Sequence, residues 1–167
     1  MKIIPQALLA LTLAVIATNG NASQPSTEEQ VDANVKELVV AQRRVLTRAA
    51  AFCTASGRSL NQRLESYIDA FSTGTKAGMI EVSKTDKNIL RPAPGYTKTD
   101  LEMMDKQGDV FLKGVQMNPD LGCKKLADFL GSGTMAAFKE STLQSHREYS
   151  AKRAAYCASV PKPQSCE

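Results

Sequence analysis

Four cysteines and one histidine are the residues of this chain best suited to chemistry. Cys53, Cys123, Cys157 and Cys166 stand too far apart for a Cys-x-x-Cys redox pair, a zinc knuckle or a haem-attachment motif. An even number of widely spaced cysteines in an exported chain reads instead as a disulfide framework. Three pairings are open. Cys157–Cys166 would close the tail that holds Pro161 and Pro163, leaving Cys53–Cys123 to join distant helices. The alternative ties Cys157, on the last helix, to Cys53 or Cys123.

His146 is the single histidine. A general base needs a nucleophile to act on and a partner to orient its ring, and the neighbouring sequence supplies neither. Thr142 lies one helical turn before it and Tyr149 three residues after, so its expected place is the margin of an apolar face. The acidic pairs Glu28/Glu29 and Asp100/Glu102 fall at helix starts, where carboxylates favour the dipole and cap the backbone. Ser132 sits in Gly131-Ser132-Gly133, without a G-x-S-x-G nucleophile elbow or the lysine of a phosphate-binding loop. With one histidine and oxidised cysteines, soft metal ligands are lacking, and no aspartate run has calcium-loop spacing. The methionines fall at helical spacing, as core residues do. The expectation is a protein that is not an enzyme and carries no metal or cofactor.

The oxidation of the cysteines follows from the N-terminus. Met1 and Lys2 precede an apolar run over residues 7–17, and Gly20 and Ala22 occupy the −3 and −1 positions of a cleavage site before Ser23. The run is much shorter than the roughly 20 residues that span a bilayer. Residues 1–22 therefore read as a cleaved signal peptide. The mature chain, residues 23–167, is expected in the periplasm or outside the cell, with no stable membrane span after processing. Every cysteine lies in that mature part, which points to the same compartment.

Lys2 is the one charged residue removed, so the net charge falls from +4 to +3. Basic and acidic residues are interspersed, without the basic face or stacking aromatics of a nucleic-acid binder. Aromatic residues make up 5% and tryptophan is absent, so the core must draw on aliphatic side chains and methionine, a mix suited to helices.

The elements that would position these residues are helices throughout. Ser26 with Glu29, Ser59 with Gln62, and Thr99 with Glu102 have capping-box spacing. The first helix carries Val31, Val35, Leu38, Val45, Ala49 and Phe52 in one stripe, interrupted by Gln42 and stopped at Gly57. The second buries Leu60, Leu64, Tyr67, Ile68 and Phe71, after which Gly74 and Gly78 mark either a close helix crossing or a break. Residues 83–98, with Pro92, Pro94 and Gly95, form the longest irregular stretch. Leu101, Met104, Phe111 and Val115 line a third helix; Asn118-Pro119 opens a short fourth, which carries Cys123. Thr134 caps a fifth helix with Met135, Phe138, Tyr149 and Tyr156 as its expected apolar face.

These signals predict an all-α fold: one antiparallel bundle of about five helices, stapled by disulfides. The expected function is an exported interaction protein that binds another protein, as an immunity factor, inhibitor or accessory subunit of an envelope machine. Its partner-contact candidates are Arg91 and Tyr96 in the 83–98 loop. A stress chaperone or binder of small apolar ligands is the second expectation, and a cell-wall-acting enzyme the last.

Overall fold

The computed structural model describes residues 26–90 and 95–159. Among these, five α-helices and one 3-10 turn make up the fold: α1 (Thr27–Ala55), α2 (Asn61–Ser83), the 3-10 turn (Lys87–Leu90), α3 (Lys98–Gln116), α4 (Pro119–Ser132) and α5 (Met135–Ser159). The signal-peptide segment 1–22 lies outside the described residues.

Local signals account for most of the helix ends. Ser26 caps α1 as expected: the Glu29 N–H donates to Ser26 Oγ at 3.3 Å, and the Ser26 N–H donates to Glu29 Oε2 at 2.8 Å. At the other end Gly57 adopts φ +85°, and the Gly57 and Arg58 N–H groups donate to the Thr54 and Cys53 carbonyls. This is the paired arrangement by which a left-handed residue closes a helix. Asn118 caps α4 with Pro119 in its first turn, and Thr134 Oγ1 accepts from the Ala137 N–H at 3.2 Å ahead of α5.

Two expected caps are displaced. The Ser59–Gln62 box does not form, because α2 starts one residue later, after Leu60. Leu60 is buried in the core, and its N–H is satisfied by Thr54 Oγ1 at 3.2 Å. Burying a leucine is worth about 2 kcal/mol against about 1 for a cap, so the apolar anchor decides the start. Helix α3 is capped by Thr97 with Asp100, not by Thr99 with Glu102. Both pairs have suitable spacing. The turn at Gly95, with φ +69°, ends just before Thr97, and the earlier cap adds more helix.

Ion pairs and the disulfide set the helix directions. Arg43 pairs with Glu65, and Lys76 with Glu28 and Asp32, so α1 and α2 are antiparallel. Arg44 pairs with Asp105 and Arg48 with Asp109, so α3 runs with α1. Cys53–Cys123 and Arg58–Asp120 turn α4 back against α1. Alternation holds through α4 and then stops. Helix α5 lies alongside α2 in the same direction, as Phe138 over Gly74, Lys139 with Glu81 and His146 with Asp86 require. The Gly133-Thr134 linker is as short as the Met117-Asn118 linker that turns the chain back between α3 and α4, but here α5 continues the descent that α4 begins, because its seat is the glycine groove of α2.

The core has two parts. One packs Leu46, Ala49, Cys53, Leu64, Ile68 and Leu126 near the disulfide; the other packs Val31, Val35, Met79, Val82, Ile89 and Leu90. Gln42, the polar interruption in the α1 stripe, is buried at a helix position between them. The 83–98 stretch is thus less of a loop than its prolines imply: Ile89 and Leu90 are core residues, and Asn34 Nδ2 donates to the Ile89 carbonyl at 3.3 Å.

Helix α2 passes unbroken through Gly74 and Gly78, which receive α5. A Cβ on Gly78 would stand 2.7 Å from Thr142 Cβ, and one on Gly74 2.8 Å from Phe138 Cβ. This groove corrects the expected α5 face. Met135, Tyr149 and Tyr156 are exposed, and of the four residues expected there only Phe138 packs inward, edge-on to Tyr67 and Phe71. A groove floored by glycine admits a threonine or histidine at close range, so Phe138, Thr142 and His146 share the contact line without forming an apolar stripe.

Candidate functional site

His146 is positioned by the line of α5 that settles onto α2 and the turn after it. Its Nε2 lies 2.9 Å from Asp86 Oδ2 and 3.4 Å from Ser150 Oγ. Asp86 Oδ1 also accepts from the Asn88 N–H at 2.9 Å. The hydrogen bond from His146 is the main reason the Asp86 carboxyl sits below the usual aspartate range. The trio has the residue types of a nucleophilic relay but a different geometry. In a relay the carboxylate orients one ring nitrogen while the hydroxyl meets the other. Here both converge on Nε2, so the carboxylate occupies the nitrogen that would receive the serine proton. The arrangement works as a latch between α5 and the end of α2.

The buried titratable phenol of Tyr67 is pushed up to about 12 by burial, and its ring meets Phe129 at a tilt and Phe138 edge-on. It is a core residue. Among the described residues, no three His, Cys, Asp or Glu side chains gather as metal ligands would.

The Cys53–Cys123 pairing is the first of the expected alternatives, with a Cα–Cα distance of 5.5 Å and both residues fully buried. That bond removes Cys53 and Cys123 as partners for Cys157, which is itself not free. Cys166, and with it the expected Cys157–Cys166 closure, lies outside the described residues. Burial shields the Cys53–Cys123 sulfurs from attacking thiolates, so this bond is a structural staple.

Of the two residues expected to meet a partner, Arg91 lies outside the described residues. Tyr96 is half-buried ahead of α3. Burial raises its phenol above the usual value, reinforced by the carboxylates of Glu37 and Asp100, which places it within electrostatic reach of α1.

A different surface is both exposed and apolar. Met103 and Val110 of α3 and Met117 at its C-cap recur every seven residues, exposed to 44%, 70% and 88%, and Leu121 at the start of α4 is exposed to 47%. The opposite side of α3 is spoken for. Gly108 lets α3 approach the α1 backbone, and Arg44 and Arg48 hold Asp105 and Asp109. The Arg44 hydrogen bond keeps the Asp105 carboxyl below its ordinary range. The apolar row was present in the sequence at helical spacing. The stronger neighbouring stripe of Met104, Phe111 and Val115 marks the buried side and leaves the row as the helix's second, outward apolar line.

No known protein family, curated protein or solved structure matches the chain.

Proposed function

We propose that this chain is an exported, disulfide-stapled helical module that binds another protein, of the immunity, inhibitor or envelope-accessory kind. The observation that carries this reading is the exposed row Met103, Val110, Met117 and Leu121 on a bundle whose α1 and α4 are covalently joined. Exposed apolar side chains gathered on one face mark interaction surfaces, whereas singly scattered ones do not. The fold holds this row on a helix anchored by Met104, Gly108 and Val115, so a partner meets a preformed surface and little ordering entropy opposes binding.

Export is supported by the signal-like N-terminus and by the disulfide. Sequencing the N-terminus of the processed protein tests it, with Ser23 as the expected first residue; an intact Met1 on the recovered protein would contradict it. The binding reading is tested by affinity purification from the native cell envelope with the tagged protein, Val110→Glu/Met117→Glu, and Tyr149→Glu/Tyr156→Glu. A stoichiometric partner held by the wild type and the α5 variant, and lost by the α3 variant, is expected. Recovery of the protein alone in all three would sink the proposal.

A further inference from the structure

Gly114 differs from the helical glycines packed against a neighbour; Gly131, beside the C-terminus of α4, would meet only the Arg63 guanidinium at 3.8 Å. A Cβ added to Gly74, Gly78, Gly108 or Gly122 would meet neighbouring atoms closely, which explains those glycines by packing. A Cβ on Gly114 would meet nothing within 4 Å. Gly114 lies in the last turn of α3, where glycine costs up to about 1 kcal/mol relative to alanine. The fold of this chain offers no return on that cost. A helical glycine with open space above it suits close approach by another molecule's backbone or side chain.

Its neighbours on the helix make the approach specific. Met103, Gln107, Val110, Gly114 and Met117 alternate by four and three residues, the spacing of a coiled-coil seam. Val110, Lys113, Gly114 and Met117 bound the four-cornered hole into which a partner's side chain inserts in such a seam, and the missing Gly114 side chain deepens it. The span from Met103 to Met117 is about 21 Å at 1.5 Å per residue, enough for about four turns of a second helix.

Charge selects the occupant. Lys106 and Lys113 flank the seam, and Lys124 and Lys125 follow Leu121 by one turn; all four are exposed. Among the described residues none of them enters an ion pair. Of the nearby carboxylates, Asp105, Asp109 and Asp120 are engaged by Arg44, Arg48 and Arg58 of the α1 side, and Glu102 meets Lys98 at 3.9 Å; Asp128 offsets Lys124 and Lys125 in part, so Lys106 and Lys113 carry the charge preference of the seam. Lys113 also suits the negative end of α3, but Lys106 stands mid-helix and has no such role. A second copy of this chain would set lysine against lysine along the seam. A lipid surface makes no use of a single deep hole in a narrow seam, which a helix does.

We infer that the α3 seam docks an amphipathic helix of the partner protein, acidic along its flanks, with a large apolar side chain seated over Gly114. This rests on the protein-binding reading above and names the chemistry of the partner.

The test uses two helix-stapled peptides of 21 residues, about the length of the seam plus one turn at either end. Both have leucine at the seam positions; one carries glutamate at the flanks and the other lysine. They are titrated into the purified protein by fluorescence anisotropy. The glutamate peptide is expected to bind at least about tenfold tighter than the lysine peptide, with the preference shrinking as salt rises. Gly114→Leu places its Cβ in open space and fills the hole, and should weaken binding by at least about tenfold without lowering the thermal melt. Lys106→Glu/Lys113→Glu should reverse the preference between the peptides. Equal or absent binding of the two peptides would overturn the inference, as would Gly114→Leu binding like the wild type. So would two other outcomes: binding to anionic phosphatidylglycerol vesicles that competes fully with the peptide, or self-association abolished by Gly114→Leu. A native partner whose capture survives both sets of variants would leave the protein-binding reading standing and remove the seam.

Discussion

The His146 Nε2 atom lies 2.9 Å from Asp86 Oδ2, and this contact ties the middle of the last helix to the turn that follows α2, 60 residues earlier. A second polar tie along the same edge joins Lys139 to Glu81. Between them, α5 is held where it contributes no fully buried side chain of its own. A helix attached mainly through a glycine groove depends on such ties for its position more than a helix with an apolar stripe does.

That dependence has a pH signature. The Asp86 carboxyl is lowered chiefly by the hydrogen bond from His146, so its contribution is in place above the ordinary aspartate value of 3.8 and is lost as pH falls through the lower folded-state value. Asp86→Asn should therefore cost about 1 kcal/mol or less at pH 5, given partial solvent screening, and the gap from wild type should close toward pH 2. Thermal melts of both proteins over this range measure it. A gap that stays constant with pH would contradict the latch.

Glycines in the same kind of helix should respond with opposite signs. Gly78→Ala places a Cβ 2.7 Å from Thr142 Cβ and is expected to destabilise by about 1–2 kcal/mol, the clash exceeding the gain in helix propensity. Gly114→Ala has open space and should stabilise by up to about 1 kcal/mol. Urea unfolding of the two variants side by side reads both effects.

Removing the staple should be costly. Cys53 and Cys123 are 70 residues apart in sequence, and closing such a loop in the unfolded chain is worth about 4 kcal/mol on the chain-entropy account. Cys53→Ala/Cys123→Ala is expected to lose about 2–4 kcal/mol in denaturant unfolding, with helical circular dichroism retained at low temperature. Because both residues are fully buried, mild reductant should act on the native protein only slowly, which thiol counting with time would reveal.

Gln42 offers a stabilising change. Its side-chain Oε1 is buried without a hydrogen-bond partner, and an unpaired buried carbonyl carries an uncompensated desolvation cost. Gln42→Met has similar volume and no such atom. A gain of about 1 kcal/mol in unfolding free energy is expected, whereas a loss would mean that the amide holds a favourable contact through its nitrogen.

The helices were legible because the signals that make them are local. Ser26 and Glu29 satisfy each other's backbone across one turn, Gly57 stops α1 with a left-handed residue, and Asn118-Pro119 starts α4, all within a few residues of chain. The stripe from Val31 to Ala49 similarly marked the buried side of α1. The candidate site was harder to see. Met103, Val110 and Met117 have helical spacing, but so do Met104, Phe111 and Val115, and spacing alone does not say which line a second helix covers.

By itself, then, the sequence determined the helical class, most of the helix ends and the need for a staple. Tertiary structure decided which cysteine Cys53 takes, that Leu60 outweighs Ser59 at the start of α2, and that α5 runs with α2 on a glycine groove. It also decided that the outer line of α3 stays open. Caps and periodicity arise from contacts one turn apart, whereas pairing, direction and exposure depend on residues tens of positions away, whose meeting only the packed chain defines.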